Sequence, residues 1–167
     1  MKHLMKGLTA ILAVLLISSC GAAYQQTKAE KAALVIALRN SNFNLDVTQI
    51  IPVGFPSKNT MGEYSLSLQG NIVDTRLPYI GVSHSPHFGD DDISIVFDKE
   101  EVDVKTDFSK ASKGEYSYRF KGGKGIDPWT VQLTVFDNGT AYIDCYSDEG
   151  RAMHYYANVT LLERDGK

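Results

Sequence analysis

The sequence predicts a mainly β fold, an antiparallel β-sandwich or flattened barrel of about eight or nine short strands with one N-terminal helix. Short runs of alternating apolar and polar residues fill the chain from Phe43 onward, and Gly, Pro, Asn and Asp bound these runs. Asn138-Gly139 stands between two of them, which is the strongest short signal for a hairpin. One apolar face per strand is typical of an antiparallel sheet rather than of a parallel sheet buried on both faces.

Residues 1–19 are typical of a bacterial lipoprotein signal. Lys2 and Lys6 give a basic start, and the apolar run that follows is far shorter than the roughly 20 residues that a membrane span requires. Ile17-Ser18-Ser19-Cys20 resembles a lipobox, in which the cysteine is diacylated and the segment before it is removed. An ordinary secretory peptide that contains a cysteine by chance is the alternative.

Lipidation at Cys20 predicts a stable membrane anchor, because two or three acyl chains hold a protein at a bilayer where one does not. The following residues, Gly21 to Gln26, lack an acidic cluster that resembles a surface-export signal. We therefore expect a protein anchored to a bacterial membrane, at the outer membrane and facing the periplasm.

The rest of the chain has the size of one domain. Removing residues 1–19 from 167 leaves 148, and we divide these into the lipidated cysteine with its linker (20–26) and a single β-rich domain (27–167). The processed chain has 15 basic and 20 acidic residues, interspersed, which gives a net charge of −5 and makes nucleic acid a poor partner. With Cys20 lipidated, Cys145 is the one remaining thiol, so no intramolecular disulfide can form.

A helix is predicted from Lys28 to Arg39. Thr27 and Glu30 have the spacing of a capping box, and the segment up to Leu38 is apolar nearly all round, so the helix is expected to dock on another element.

Inward-facing residues follow from the alternation in the β runs. They are Tyr64, Leu66 and Leu68; Ile93, Ile95 and Phe97; Tyr116, Tyr118 and Phe120; and Trp129, Val131, Leu133 and Val135. We interpret these aromatic rings as core. If the sheet closes on itself, however, they could line a cavity instead of filling one.

The last hairpin permits a prediction of register. A three-residue loop, Asp148-Glu149-Gly150 with Gly150 left-handed, pairs Ser147 with Arg151. The same register pairs Cys145 with Met153, Asp144 with His154, and Tyr142 with Tyr156. Because neighbouring residues of a strand point to opposite faces, a nucleophilic pair of Cys145 and His154 is disfavoured.

The outward face of this hairpin is the candidate binding site. We call it the aromatic face; its members are Tyr142, Asp144, Tyr146, His154 and Tyr156. Tyrosine rings beside a carboxylate and an imidazole suit a sugar, a peptide or a partner protein. The alternative is that these residues are cross-strand pairs that stabilise the hairpin by about 0.2–1 kcal/mol each.

A second cluster has residue types that ligate metals. His84, His87 and Asp90 could supply three ligands with an open position for water, as in catalytic zinc sites. Pro86 breaks the histidine pair and excludes a helical arrangement, and Pro, Gly and Asp are ordinary loop residues. We favour a solvated loop.

The chain resembles the bacterial lipoproteins grouped as domain of unknown function 4251. The resemblance depends on the lipobox, the helix that leads into Asn42-Phe43, the run Tyr64-Ser65-Leu66, the element Leu77-Pro78-Tyr79-Ile80-Gly81, the run Ile93 to Phe97, and Asn138-Gly139. It implies a lipid-anchored, β-rich protein and no particular activity.

For function, we expect a non-catalytic module that binds an apolar or saccharide ligand, with no catalytic residues and no cofactor, because no complete catalytic motif is present. A structural or assembly lipoprotein that docks a protein partner through the aromatic face is the alternative. A metal-dependent hydrolase at His84 and His87 comes third.

Overall fold

A computed structural model describes residues 27–81, 94–123 and 128–162. Its elements are, in chain order, helix α1 (Lys28–Arg39) and strands β1 (Asn42–Pro52), β2 (Lys58–Asn59), β3 (Ser65–Gln69), β4 (Ile72–Pro78), β5 (Ser94–Glu101), β6 (Lys105–Asp107), β7 (Glu115–Gly122), β8 (Trp129–Phe136), β9 (Thr140–Ser147) and β10 (Ala152–Thr160). A short 3-10 helix, Ala111–Lys113, lies between β6 and β7.

The strands form one antiparallel sheet that curls into a half-barrel. Their spatial order is β5-β4-β3-β1-β10-β9-β8-β7-β6, and the two-residue β2 pairs with β1. The curl brings distant strands together: the Phe97 and Phe120 rings meet edge to face at 5.6 Å, and the Gly123 N–H donates to Glu100 Oε2 at 3.0 Å. The predicted mainly β fold with one N-terminal helix is confirmed, in the form of a single curled sheet.

Helix α1 begins and docks as its sequence predicts. The Thr27 hydroxyl accepts from the Glu30 N–H, and the Glu30 carboxylate accepts from the Thr27 N–H, so the predicted capping box is formed. Leu34 and Leu38 are buried against the sheet. The buried Tyr118 hydroxyl donates to the Leu38 carbonyl at 2.6 Å, which ties the end of α1 to β7.

No helix within residues 27–81, 94–123 and 128–162 has the length and apolar character to cross a membrane.

Inward-facing side chains fill the half-barrel. Its largest fully buried residues are aromatic and aliphatic: Tyr116, Tyr118, Tyr155, Phe43, Phe97, Phe120, Leu38, Leu45, Ile50, Leu66, Leu68 and Leu77. The rings contact one another, as Phe43 and Tyr118 do at 5.2 Å, and Trp129 is only 4% exposed. The Tyr155 hydroxyl, which belongs to the last strand, donates to the Pro78 carbonyl at 2.8 Å. The predicted aromatic core is therefore a packed interior rather than the lining of a cavity.

Tyr118→Phe tests the attachment of α1. The substitution removes one buried hydrogen bond, while the Leu38 carbonyl keeps the bond that it accepts from the Ser41 N–H. We expect the free energy of unfolding in urea to fall by about 0.5–1.5 kcal/mol. Tyr142→Phe removes the same atom from a tyrosine that is 43% exposed, and it should change stability by less than about 0.5 kcal/mol. Equal effects of the two substitutions would contradict the attachment.

Candidate functional site

The turn between β9 and β10 sets the arrangement of the site. Gly150 adopts the left-handed conformation with φ 81°, and the Ser147 N–H donates to the Arg151 carbonyl at 2.9 Å. Cys145 pairs with Met153, Asp144 with His154, and Tyr142 with Tyr156. The predicted loop and register are therefore confirmed. The loop forms because a glycine in its third position accepts the positive φ that this hairpin requires.

The structure brings together all five residues of the aromatic face. Tyr142 and Tyr156 have ring centroids 4.9 Å apart and planes inclined by 60°. His154 Nδ1 lies 2.7 Å from Asp144 Oδ1, and the Tyr146 ring meets the His154 ring at 5.9 Å, nearly perpendicular to it. The three tyrosines expose between 41% and 43% of their surface, so about two fifths of each ring residue is open to solvent.

Neighbouring strands extend the aromatic face into two rows across the sheet. Cross-strand pairing aligns Gln49, Tyr156, Tyr142 and Thr134 in one row, and Ile51, His154, Asp144 and Gln132 in the next. A bulge in β1 between Val47 and Gln49 makes this alignment possible, because the extra residue changes which side chains of β1 face outward. At the bulge, the Thr48 hydroxyl donates to the Tyr156 carbonyl at 3.2 Å.

A shallow depression of about 310 Å³ lies in the face. Its lining residues come from β1, β8, β9 and β10 and are Ile51, Thr134, Tyr142, Asp144, His154, Tyr155 and Tyr156. This volume is near the lower limit of the roughly 300–1,000 Å³ of small-molecule sites. Ile51 and Thr134 were not predicted as members of the site. Ile51 lies on β1, which is distant from β10 in the sequence, whereas the Asn138-Gly139 hairpin, which pairs Thr134 with Tyr142, was the signal that could have found Thr134.

The electrostatics of the face favour hydrogen bonding to neutral groups. Because Asp144 occupies His154 Nδ1, Nε2 is the ring nitrogen left to contact a ligand. Partial burial, with the nearby Asp144 as a second cause, raises the pKa of Tyr146 above its ordinary value. The face therefore offers donors and acceptors between ring surfaces.

The structure places Cys145 away from the aromatic face. Its side chain is fully buried on the inward side, as predicted, and His154 lies on the outer side. Burial, and to a smaller extent Asp144, raises the pKa of the Cys145 thiol well above its ordinary value. A buried thiol that resists ionisation is a poor nucleophile.

An arginine outside the predicted site holds the β9–β10 turn in place. The Arg151 guanidinium carbon lies 5.3 Å from the centre of the Trp129 ring and 5.8 Å from that of Tyr79. The Ser147 hydroxyl accepts from the backbone N–H of Arg151 at 3.2 Å. These contacts link the turn to the start of β8 and to Tyr79, directly after the end of β4.

Several sequence predictions lie outside the described residues. They concern the signal segment 1–19, the lipidated Cys20 with its linker, the candidate metal ligands His84, His87 and Asp90, and the inward-facing Ile93. Among the residues that the structure describes, no group of three His, Cys, Asp or Glu side chains could hold a metal ion.

A curled antiparallel sheet with a filled interior and an aromatic outer surface defines a β-rich module whose candidate site is on its outside. The family model described as Domain of unknown function (DUF4251) matches residues 25–159, and the chain belongs to this family. The crystal structure of a DUF4251 family protein from Bacteroides eggerthii DSM 20697 is similar in fold, with a TM-score of 0.58 and 17% sequence identity, over 82% of this chain and 92% of that one. None of the curated proteins matches this chain.

Labelling of Cys145 tests its placement. In residues 21–167, which carry this one thiol, we expect a maleimide to react slowly under native conditions and rapidly in urea, because the sulfur is buried and protonated. The double substitution Cys145→Ala with Gln132→Cys moves the thiol to an exposed position on β8 and should react rapidly in both conditions. Rapid labelling of Cys145 under native conditions would contradict its burial and would support a nucleophilic pair of Cys145 and His154.

Proposed function

We propose that this protein is a non-catalytic binding module that takes a neutral saccharide on the aromatic face. We also propose that a lipid on Cys20 holds it at a bacterial membrane, on the periplasmic side of the outer membrane. One observation carries the binding proposal: the exposed rings of Tyr142 and Tyr156 adjoin a hydrogen-bonding pair, Asp144 and His154, on the outer face of the sheet.

The packed interior supports an outer site. The sequence left open a hollow barrel with an apolar ligand inside, but the inward rings contact one another and the Tyr118 and Tyr155 hydroxyls bond to backbone carbonyls. A ligand inside would have to displace this packing, at a cost of several kcal/mol for each large side chain moved. The outer face requires no such displacement.

The chemistry of the face matches that of a sugar ring. A sugar presents C–H groups on its faces and hydroxyls on its edge, and an exposed tyrosine ring packs against the former. The Asp144 carboxylate accepts hydrogen bonds from hydroxyls. His154 Nε2 can accept from a hydroxyl when the ring is neutral and donate to one when it is protonated, so binding needs no particular protonation state of the imidazole.

The same residues suit a protein partner less well. The centre of a protein interface is depleted of charged residues, whereas Asp144 and His154 stand in the middle of the aromatic face. A standard interface also takes about 20–30 residues from each side. Docking of a protein therefore becomes an outcome of the binding test below.

The absence of catalysis is part of the proposal. Asp144 and His154 form a carboxylate-imidazole pair of the kind that assists a nucleophile, but Cys145 lies on the opposite side of β9. Beside this pair, the hydroxyl-bearing residues that line the depression are Thr134, Tyr142, Tyr155 and Tyr156, and the Tyr155 hydroxyl is bonded to the Pro78 carbonyl.

Tyr156→Ala tests the saccharide site. We expect the full chain, purified in detergent, to bind a neutral glycan on a glycan array, and Tyr156→Ala to weaken that binding at least about tenfold, which corresponds to 1.4 kcal/mol. Ile72→Ala is the matched control, because Ile72 on β4 is 42% exposed and Tyr156 is 41% exposed.

Three results would contradict the saccharide proposal. If Tyr156→Ala lowers only the free energy of unfolding and leaves glycan binding intact, the Tyr142–Tyr156 pair serves hairpin stability rather than binding. Absence of glycan binding by the unmodified chain would exclude a saccharide as the ligand. Capture of a defined protein that depends on Tyr156 would favour docking of a protein partner instead.

Cys20→Ala tests the anchor. We expect the unmodified chain to fractionate with membranes and to carry acyl chains on residue 20 by intact mass. The substitution should remove both properties, because no other residue of a lipobox accepts the diacylglyceryl group. Cys145→Ala is the matched control and should leave both unchanged. Membrane association that persists in Cys20→Ala would contradict lipidation.

A further inference from the structure

We infer that the ligand is an oligosaccharide that runs along β9, from the Tyr142 and Tyr156 rings, across Asp144 and His154, to the Tyr146 ring. This inference rests on the proposed function and adds the length and direction of the ligand.

Tyr142, Asp144 and Tyr146 are alternate residues of β9 and face the same way. Tyr142 and Tyr146 are 43% and 42% exposed, whereas Ile143 and Cys145 between them are fully buried. Four residues of strand span about 13 Å, so the two ring positions are separated by more than one sugar ring. Between them lie the hydrogen-bonding groups of Asp144 and His154. The arrangement is one of ring, polar pair, ring.

Tyr146 lies outside the depression that holds the other members of the face. The residues that line that depression include Tyr142, Asp144, His154 and Tyr156, but not Tyr146. A ligand of a single ring would occupy the depression and leave Tyr146 without a role in binding. A longer ligand would extend past His154 and reach it.

The neighbours of Tyr146 leave its ring accessible. Its cross-strand partners are Ala152 on β10 and Thr130 on β8, both small. Tyr142, in contrast, stands directly opposite another tyrosine, Tyr156. Hairpin stabilisation by paired aromatic residues therefore accounts for Tyr142 better than for Tyr146.

The Tyr146 ring contacts the His154 ring and remains 42% exposed. Its ring is nearly perpendicular to that of His154, with centroids 5.9 Å apart. His154 is in turn fixed by Asp144 at 2.7 Å. A preorganised ring costs less entropy to bind than a mobile one, so it can serve as a second platform.

The sugars that fit best are neutral and extended. The Asp144 carboxylate lies in the middle of the path and disfavours acidic sugars. Tyr142 and Tyr146 lie along one extended strand, and β-1,4-linked hexoses with equatorial hydroxyls expose apolar ring faces along an extended chain. We therefore choose cello-oligosaccharides and chito-oligosaccharides as probes.

Calorimetric titration with both series, from one to six sugar units, tests the inference. For the unmodified full chain in detergent, affinity should rise with length until the ligand reaches Tyr146, and then level off. Tyr146→Ala should remove that rise and weaken the six-unit ligand about tenfold, while the single sugar binds as before. Tyr156→Ala should weaken every length. Tyr146→Phe keeps the ring and should keep the rise.

The outcomes separate this inference from the proposed function. Affinity that is independent of length, with Tyr146→Ala equal to the unmodified chain, would overturn the extended site and leave a single-sugar site in place. Failure of every probe to bind the unmodified chain would overturn both. Loss of affinity in Tyr146→Ala at all lengths equally, including the single sugar, would assign Tyr146 to the folding of the face, and circular dichroism would then show a changed hairpin.

Discussion

Aromatic side chains packed inside the curled sheet fix which faces of the strands are turned to the outside. Phe43, Tyr118, Phe97 and Phe120 meet across the interior, and the Tyr118 hydroxyl attaches helix α1 to it. In the part of the chain that the structure describes, these rings and the aliphatic side chains packed with them form the core that one sheet and one α-helix remove from water. A filled interior leaves the outward positions of the strands for recognition.

The register of the β9–β10 hairpin decides which residues take those outward positions. Gly150 accepts the left-handed conformation that fixes the loop at three residues, and the register follows from it. A slip of β10 by one residue against β9 would turn His154 into the apolar interior and Met153 outward, so the buried face strongly specifies the pairing. The contact of the Arg151 guanidinium with the Trp129 and Tyr79 rings holds the same turn in place.

Local signals in the sequence predict much of this structure. The capping box at Thr27 and the turn at Gly150 each involve residues close in the chain, and both are formed as predicted. The contributions of β1 could not be predicted, because β1 pairs with β10 more than a hundred residues away and a bulge after Val47 shifts the register. Whether the inward rings fill or line the barrel depends on the curl of the whole sheet, which no alternation pattern encodes.

Membership of the family gives the fold and no activity. The proposed binding on the aromatic face is therefore tested by finding where a ligand contacts the protein. The most direct measurement is an NMR titration of the tyrosine ring signals with cellohexaose, using inward and outward tyrosines of one protein as mutual controls. If the ligand binds the aromatic face, the signals of the outward Tyr142, Tyr146 and Tyr156 move, while those of the inward Tyr116, Tyr118 and Tyr155 stay fixed. Movement of the inward signals with the outward ones unchanged would place the ligand inside the barrel and contradict an outer binding site.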